Sequence, residues 1–487
     1  MTPVEERDPL AAGQAGEKVI RGGGLRVTAH IVGIVVGVIS APLVVRHLGV
    51  DDYGRFILVT SIIYVVTGLT EGGLAQVAIR QYASSPPEGR RRLIGALLGL
   101  RVVLSIAGAI VAIAFGLIAG YPEVVVGGIA LGGLTLLFNN LWGALQTALV
   151  AELRLGSVAG LEIVRAVATT ALFVAFVLAG ASLGPFYVVG PLVALLTWIV
   201  TSWLVRNITT LVPRFDAARW RELARETVVY AAAMALAAMY FQVALVTTSL
   251  LGTDRETGIY GIAFRIVDLA NGVPWLLAGS IFPVLAHAAI HNTDRLRYAV
   301  GRMTEAAAIA GGWFAVTIIL GAEFAIDVVG GEEAADSIPV LRILGIGVMA
   351  TFLVAGWGFV MLSRQSYRPL MLANLAALVL AIVLSLVLIP EFGAQGAAAV
   401  TATLEVTLAA IYGVLLAREL PGLRAGFAFA PRLLVALAAA FAAGAPLLFV
   451  HPVAAAVVGG LVYFGVLWAL RAIPPELIDA LRRRRES

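Results

Sequence analysis

Apolar residues along this chain gather into runs of roughly 20, the length a helix needs to cross about 30 Å of bilayer hydrocarbon. Short polar stretches separate them. The pattern predicts fourteen helices, at 25–46, 55–79, 93–120, 124–150, 157–181, 185–206, 227–251, 259–286, 298–321, 338–362, 369–389, 395–417, 430–449 and 452–471. Residues 1–24 are polar and lack the early apolar segment of a cleaved signal peptide, so the first run is expected to be a retained span. No connection is long enough for an extramembrane catalytic domain; the largest runs only from about Gly321 to Pro339.

The polar connections alternate in charge. Arg80 and Arg90 to Arg92 follow span two, Arg154 follows span four, and Arg206 to Arg225 follow span six. Arg295 and Arg297, Arg364 and Arg368, Arg418 and Arg424 follow spans eight, ten and twelve, and Arg482 to Arg485 close the tail. Among the 34 basic residues, only Arg46, Arg55, Arg255, Arg265 and Arg342 lie in or near the other set of connections. Arginine and lysine are enriched in short cytoplasmic loops. The expectation is therefore a multi-pass protein of the cytoplasmic (inner) membrane with both termini inside.

The chain also repeats. Leu48-Gly49-Val50-Asp51-Asp52-Tyr53-Gly54 recurs as Leu251-Gly252-Thr253-Asp254, then Tyr260-Gly261 after a short insertion, and Trp142-Gly143 recurs as Trp357-Gly358. Spans one and seven correspond, so the repeat is six spans long. An even number of spans gives both copies one orientation, the parallel arrangement found in some transporters. The expected fold is all-α and polytopic, with two parallel six-helix repeats plus two extra C-terminal helices. Its lobes are expected at 1–215 and 216–425, with 426–487 holding the last two helices and a basic tail.

Composition removes whole classes of chemistry. Of 487 residues 60% are apolar and 13% charged, against about 25% charged in soluble domains. There is no cysteine, which excludes disulfides, thiolate nucleophiles and Cys-ligated zinc. Lys18 is the only lysine and Val19 follows it, so no Gly-x-x-x-x-Gly-Lys-Ser/Thr phosphate loop exists and no ATPase domain is expected.

Several short motifs have plain explanations. Residues 180–184, GASLG, match a nucleophile elbow, but that motif needs a strand before it, and here it joins two membrane helices. His287 and His291 are spaced i, i+4 and could share a metal, yet Ala288 stands where a zinc-protease pattern needs Glu. Asp51-Asp52 resembles the metal-binding acids of membrane glycosyltransferases, but the second copy of the repeat keeps only Asp254, which favours helix-capping acids beside Gly54. Gly33/Gly37, Gly95/Gly99, Gly128/Gly132 and Gly156/Gly160 are small-xxx-small pairs that let helices approach closely. No metal, cofactor or catalytic residue is expected.

Ionisable residues inside spans are costly, at least roughly 2.5–3.5 kcal/mol each at the bilayer centre, so they face a partner or a cavity. Glu162 and Arg165, Arg265 and Asp268, and Arg302 and Glu305 are i, i+3 pairs. Glu405 has no such neighbour and sits mid-span. Near span ends, Arg26, His30, Arg46 and Arg80 either line cavity mouths or snorkel to the interface.

The helix count, the Arg46-His47-Leu48-Gly49-x-x-x-Tyr53-Gly54 loop, Gly72-Gly73-Leu74 leading to Arg80, and Phe282-Pro283-x-Leu285-Ala286 together resemble bacterial polysaccharide flippases. These belong to the multidrug/oligosaccharidyl-lipid/polysaccharide exporter superfamily. The resemblance implies two six-helix lobes around a central cavity, with the last two helices appended to the second lobe. It implies a transporter, not an enzyme, whose substrate is an undecaprenyl-diphosphate-linked glycan for O-antigen, capsule or exopolysaccharide. Implied partners are the lipid bilayer, a polysaccharide polymerase and glycosyltransferases, with no nucleic acid.

A cationic cavity for the pyrophosphate would be lined by Arg265, Arg26, His30, Arg46 and Arg80. Arg265 leads because it lies roughly 9 Å inside its span and a guanidinium can bond phosphate oxygens in a fork. Glu405 is the first coupling candidate, then Asp268, Glu162 and Glu305. Two departures matter. Lipid II flippases carry arginines within the first helix, where this chain has Ile34 and Ser40; drug antiporters carry an acid there, and this chain has none. A lipid II flippase or drug/cation antiporter is the alternative, and a lipid-linked-sugar glycosyltransferase the alternative from another class. Single cysteines at Ser487 and Asp336 should label from opposite faces with an impermeant thiol reagent; labelling of both from outside would mean an odd number of spans.

Overall fold

A computed structural model describes residues 14–71, 73–291, 293–420 and 429–472, with some side chains of the first and eighth helices also outside the description. Among the described residues the chain is helical, and twelve helices are long and apolar enough to cross a membrane. The elements are α1 (Gln14–Glu71), α2 (Leu74–Ser84), α3 (Pro87–Ile118), α4 (Glu123–Ala151), α5 (Leu155–Leu178), α6 (Leu183–Val205) and α7 (Ala217–Leu251). They continue as α8 (Asp254–His291), α9 (Thr293–Gly330), α10 (Ser337–Ser363), α11 (Tyr367–Glu419), α12 (Ala430–Gly444) and α13 (Pro452–Ala469).

Fourteen separate helices were expected; two pairs of them run together across Gly49 and Gly393, and the second span is divided before α2 at Gly73 (φ 71, ψ 5), which gives thirteen elements among the described residues. Gly49 (φ 72, ψ 174) and Gly393 (φ 54, ψ −130) leave helical geometry inside α1 and α11. Positive φ is open to glycine and strained for other residues. A straight helix of 53 residues would be about 80 Å long, more than twice the hydrocarbon thickness. Instead the Tyr412 hydroxyl donates to Asn374 Oδ1 at 2.9 Å, two residues of the same element that a straight helix would hold about 57 Å apart. So α11 is a helical hairpin turning at Gly393. The turn is tight enough to leave no loop, and for that reason two expected spans appear as one element.

The chain forms two compact units: Met1–Val44 with Ile62–Ala231, and Val45–Ser61 with Ala232–Ser487. The first unit is built on one core shared by α2, α3, α4, α5, α6 and the start of α7, where Tyr82, Leu97, Leu145, Val158, Val205 and Leu223 are all buried. Of the glycine pairs, Gly128 and Gly132 do bring helices together, meeting the ring of Tyr187 and the side chain of Ile63. Gly95 and Gly99 instead receive a connecting segment: the Arg214 N–H donates to Gly95 O at 2.8 Å and the Trp220 indole N–H donates to Ala96 O at 2.9 Å. Gly33 and Gly160 face open space. Small residues permit close approach without enforcing it.

In the second unit α10 packs against α8, α9 and α11. Helices α12 and α13 pack on α9 through Leu320, Val316, Ala440 and Ala455, and the Tyr463 hydroxyl donates to Ile309 O at 2.9 Å. The segment GASLG is the turn between α5 and α6. Strand-to-elbow geometry is therefore absent there.

Candidate substrate and coupling sites

Helix α8 begins with a capping box. Thr253 Oγ1 accepts from the Glu256 N–H at 3.1 Å and Glu256 Oε2 accepts from the Thr253 N–H at 2.9 Å, which satisfies donors at the start of α8. This cap fixes Asp254 and Arg255 in the first helical turn. Asp52, expected as a capping acid, lies three residues past the break at Gly49, in the first turn of the helix that follows, and pairs with Arg55 at 3.0 Å. Arg55 also donates from Nε to Asp254 at 2.8 Å. Arg255 pairs with Asp336 at 3.0 Å. Asp52, Arg55, Thr253, Asp254 and Arg255 line a polar cavity of about 900 Å³ at the arginine-poor end of the second unit.

Deeper along α8, Arg265 pairs with Asp268 at 3.1 Å, both about one-third exposed. Arg265 lies eleven residues past the start of α8, about 16 Å by helix rise. The buried Tyr53 stands within electrostatic reach of both charges. Arg46 donates to Asp327 O at 2.6 Å. The structure thus gathers Arg46, Arg265 and Asp268 in the second unit. Arg80 is exposed on α2 in the first unit. Arg26 and His30 fall on α1 and His287 and His291 on α8, with side chains outside the described residues.

The coupling candidates have different surroundings. Glu305 is buried and pairs with Arg302 at 2.9 Å, whose guanidinium lies over the Tyr298 ring. Glu162 is half-buried and within electrostatic reach of Arg165, which stacks over Trp142 at 5.2 Å. Glu405 is buried, with Thr351 on α10 as a hydrogen-bond partner, while its Oε2 has none among the described residues. Tyr260, hydrogen-bonded to Thr401 at 2.8 Å, and Tyr412 stand nearby. No group of three or more His, Asp or Glu among the described residues has metal-holding geometry.

One residue escaped the sequence reading. Arg101 on α3 is 2% exposed and donates from Nη1 to Asn140 Oδ1 at 2.7 Å. Asn140 in turn donates to Ser105 at 2.8 Å and Thr70 at 3.1 Å, and Glu71 lies 3.9 Å from Arg101 Nη2. No acid stands three residues from Arg101 on its own helix. Arg101 finds its acceptors on α1 and α4, so the signal was a lone arginine inside a span.

No family profile and no curated protein matches this sequence. Solved structures do match. The chain is similar to the lipid II flippase MurJ in an inward closed conformation, with a TM-score of 0.74 and 12% identity over 93% of this chain and 99% of that one. It is similar to an inward-facing multidrug resistance MATE transporter of the MOP superfamily, with a TM-score of 0.68 and 15% identity over 82% of this chain and 99% of that one. A third likeness is to a MOP superfamily transporter from Pyrococcus furiosus, at 0.60 and 14% over 84% and 96%. The likeness to these solved transporters is one of fold. It is shared across a lipid flippase and multidrug carriers, at identities that carry the architecture alone.

The Arg101 network makes a stability prediction. Asn140→Leu removes the best acceptor of a buried guanidinium and should cost roughly 1–3 kcal/mol, read as a lowered Tm in detergent, whereas Arg80→Ala should leave Tm unchanged.

Proposed function

We propose that this protein is a flippase that turns undecaprenyl-diphosphate-linked oligosaccharide across the cytoplasmic membrane by alternating access, for surface polysaccharide synthesis. The observation that carries the reading is coverage. The likeness to the lipid II flippase extends over 93% of this chain, and those to the two multidrug and archaeal carriers over 82% and 84%. The larger coverage favours a lipid-linked substrate over a drug. The lack of arginines in the middle of the first span favours a glycan repeat unit over lipid II, which stands as the second reading on the strength of that same likeness.

In this reading both termini are cytoplasmic and the arginine-poor end faces out, with the lobes 1–215 and 216–425 rocking about the substrate. Arg265 holds the pyrophosphate, and Asp268 neutralises it when no substrate is bound. Arg46, Arg80, Arg26 and His30 add positive charge at the mouths. A deletion strain should assemble lipid-linked repeat units and hold them on the cytoplasmic leaflet, with surface polysaccharide lost. Units missing their last sugar would instead assign a glycosyltransferase, and accumulated lipid II the peptidoglycan pathway.

Glu405 is the group we assign to coupling, ahead of Asp268, Glu305 and Glu162. It is a buried carboxyl with one oxygen left without a hydrogen-bond partner among the described residues, the arrangement of a site that takes up and releases a proton or sodium ion. Glu405→Gln should abolish the dependence of transport on the pH or sodium gradient; unchanged transport with unchanged dependence would remove Glu405 from the mechanism.

A further inference from the structure

At the arginine-rich end of the second unit, α10 and the second half of α11 line a groove of about 560 Å³. Its floor on α11 is made of small residues, Ala410, Gly413 and Ala417, and its wall on α10 is Leu353 and Trp357. A Cβ on Gly413 would lie 3.2 Å from the Trp357 ring, so glycine at this position lets the indole lie close against α11. The Trp357 side chain is buried and its N–H donates to Thr304 Oγ1 at 2.9 Å, which holds the wall from behind. Along α11, Val406, Ala410 and Val414 are exposed, so the groove opens on an apolar surface.

One end of the groove is charged. Arg418, in the last turn of α11, lines it and is exposed. The carboxylate beside it is already taken: Glu419 pairs with Arg364 at 2.9 Å and accepts from the Ser366 hydroxyl. Arg418 has no ion-pair partner among the described residues. A guanidinium bonds phosphate oxygens in a fork, and basic pockets between membrane helices take the heads of anionic lipids. From Arg418 back to Ala410 the groove runs eight residues, about 12 Å by helix rise. That is close to the depth of one leaflet, about half of the 30 Å of hydrocarbon.

We propose that this groove holds one anionic phospholipid, its phosphate on Arg418 and an acyl chain laid over Gly413 and Ala410 against Trp357 and Leu353. Charge at one end, small apolar residues beyond it and an open apolar side are the complement of such a molecule. The groove is far shorter than the undecaprenyl chain of the proposed substrate, which sets this resident lipid apart from the carried one. Its binding ties α10 to the second half of α11, the two helices that Thr351 and Glu405 also join. The inference stands whatever the carrier moves.

Native mass spectrometry of the full chain in detergent tests the site, with phosphatidylglycerol and phosphatidylcholine of equal chain length added in turn. The parent should retain one phosphatidylglycerol about fivefold more tightly than phosphatidylcholine, the advantage that one basic group gives an anionic lipid. Arg418→Ala should erase this preference. Ala410→Trp, which fills the groove from its exposed side, should weaken the binding of both lipids. Arg368→Ala removes an exposed arginine at the same end that does not line the groove, and should change neither. All three variants should keep the parent's Tm in lipid-free detergent, while phosphatidylglycerol raises Tm in the parent and in Arg368→Ala but not in Arg418→Ala. Equal retention of the two lipids by the parent, or an equal loss in Arg418→Ala and Arg368→Ala, would overturn the site. So would displacement of phosphatidylglycerol by inorganic phosphate alone, or by undecaprenyl phosphate at equal concentration, since the groove would then hold an ion or the carried lipid.

Discussion

Peptide N–H and C=O groups in hydrocarbon have no water to bond, so every one must be satisfied within the chain, and helices achieve this segment by segment. The rest of this architecture is a response to that requirement. At the start of α8 the free donors are capped, where Thr253 and Glu256 exchange hydrogen bonds. Where two passes are joined without a loop, a glycine takes the one backbone conformation that lets the helix reverse, as Gly393 does in α11.

The same requirement sorts the charges. An arginine at mid-span survives if its donors find acceptors, and the two units meet this need differently. In the first, Arg101 is enclosed and served by amide and hydroxyl groups, a network whose members hold one another in place. In the second, Arg55, Arg265 and Arg302 each pair with a carboxylate while about a third of each side chain stays exposed.

Much of this was legible in the sequence. Hydropathy places the apolar middle of each helix while missing the start of α7 and the end of α9 by about ten residues, and the i, i+3 spacing identifies Arg265 with Asp268 and Arg302 with Glu305 as partners, because neighbours on one helix face are fixed by helix geometry. Two kinds of feature were not legible. Polar turns such as LGVDDYG and IPEFG read as loops, yet the backbone stays helical through all but one residue of each, since a single glycine suffices to redirect it. Contacts between residues far apart in sequence leave no local trace: Arg55 and Asp254 are 199 residues apart, and Arg101 lies 39 from Asn140. The repeat was the one clue that the turns bearing Arg55 and Asp254 were counterparts.

The hairpin of α11 and the cap of α8 share a residue. A Cβ on Gly393 would overlap the Glu256 carboxylate, the same carboxylate that caps α8 through Thr253. The tip of the hairpin is therefore seated on the first turn of α8, the turn that carries Asp254. In mechanical terms this is a corner brace. A pull on Asp254 is therefore passed from the first turn of α8 to the tip of α11 through the Glu256 carboxylate.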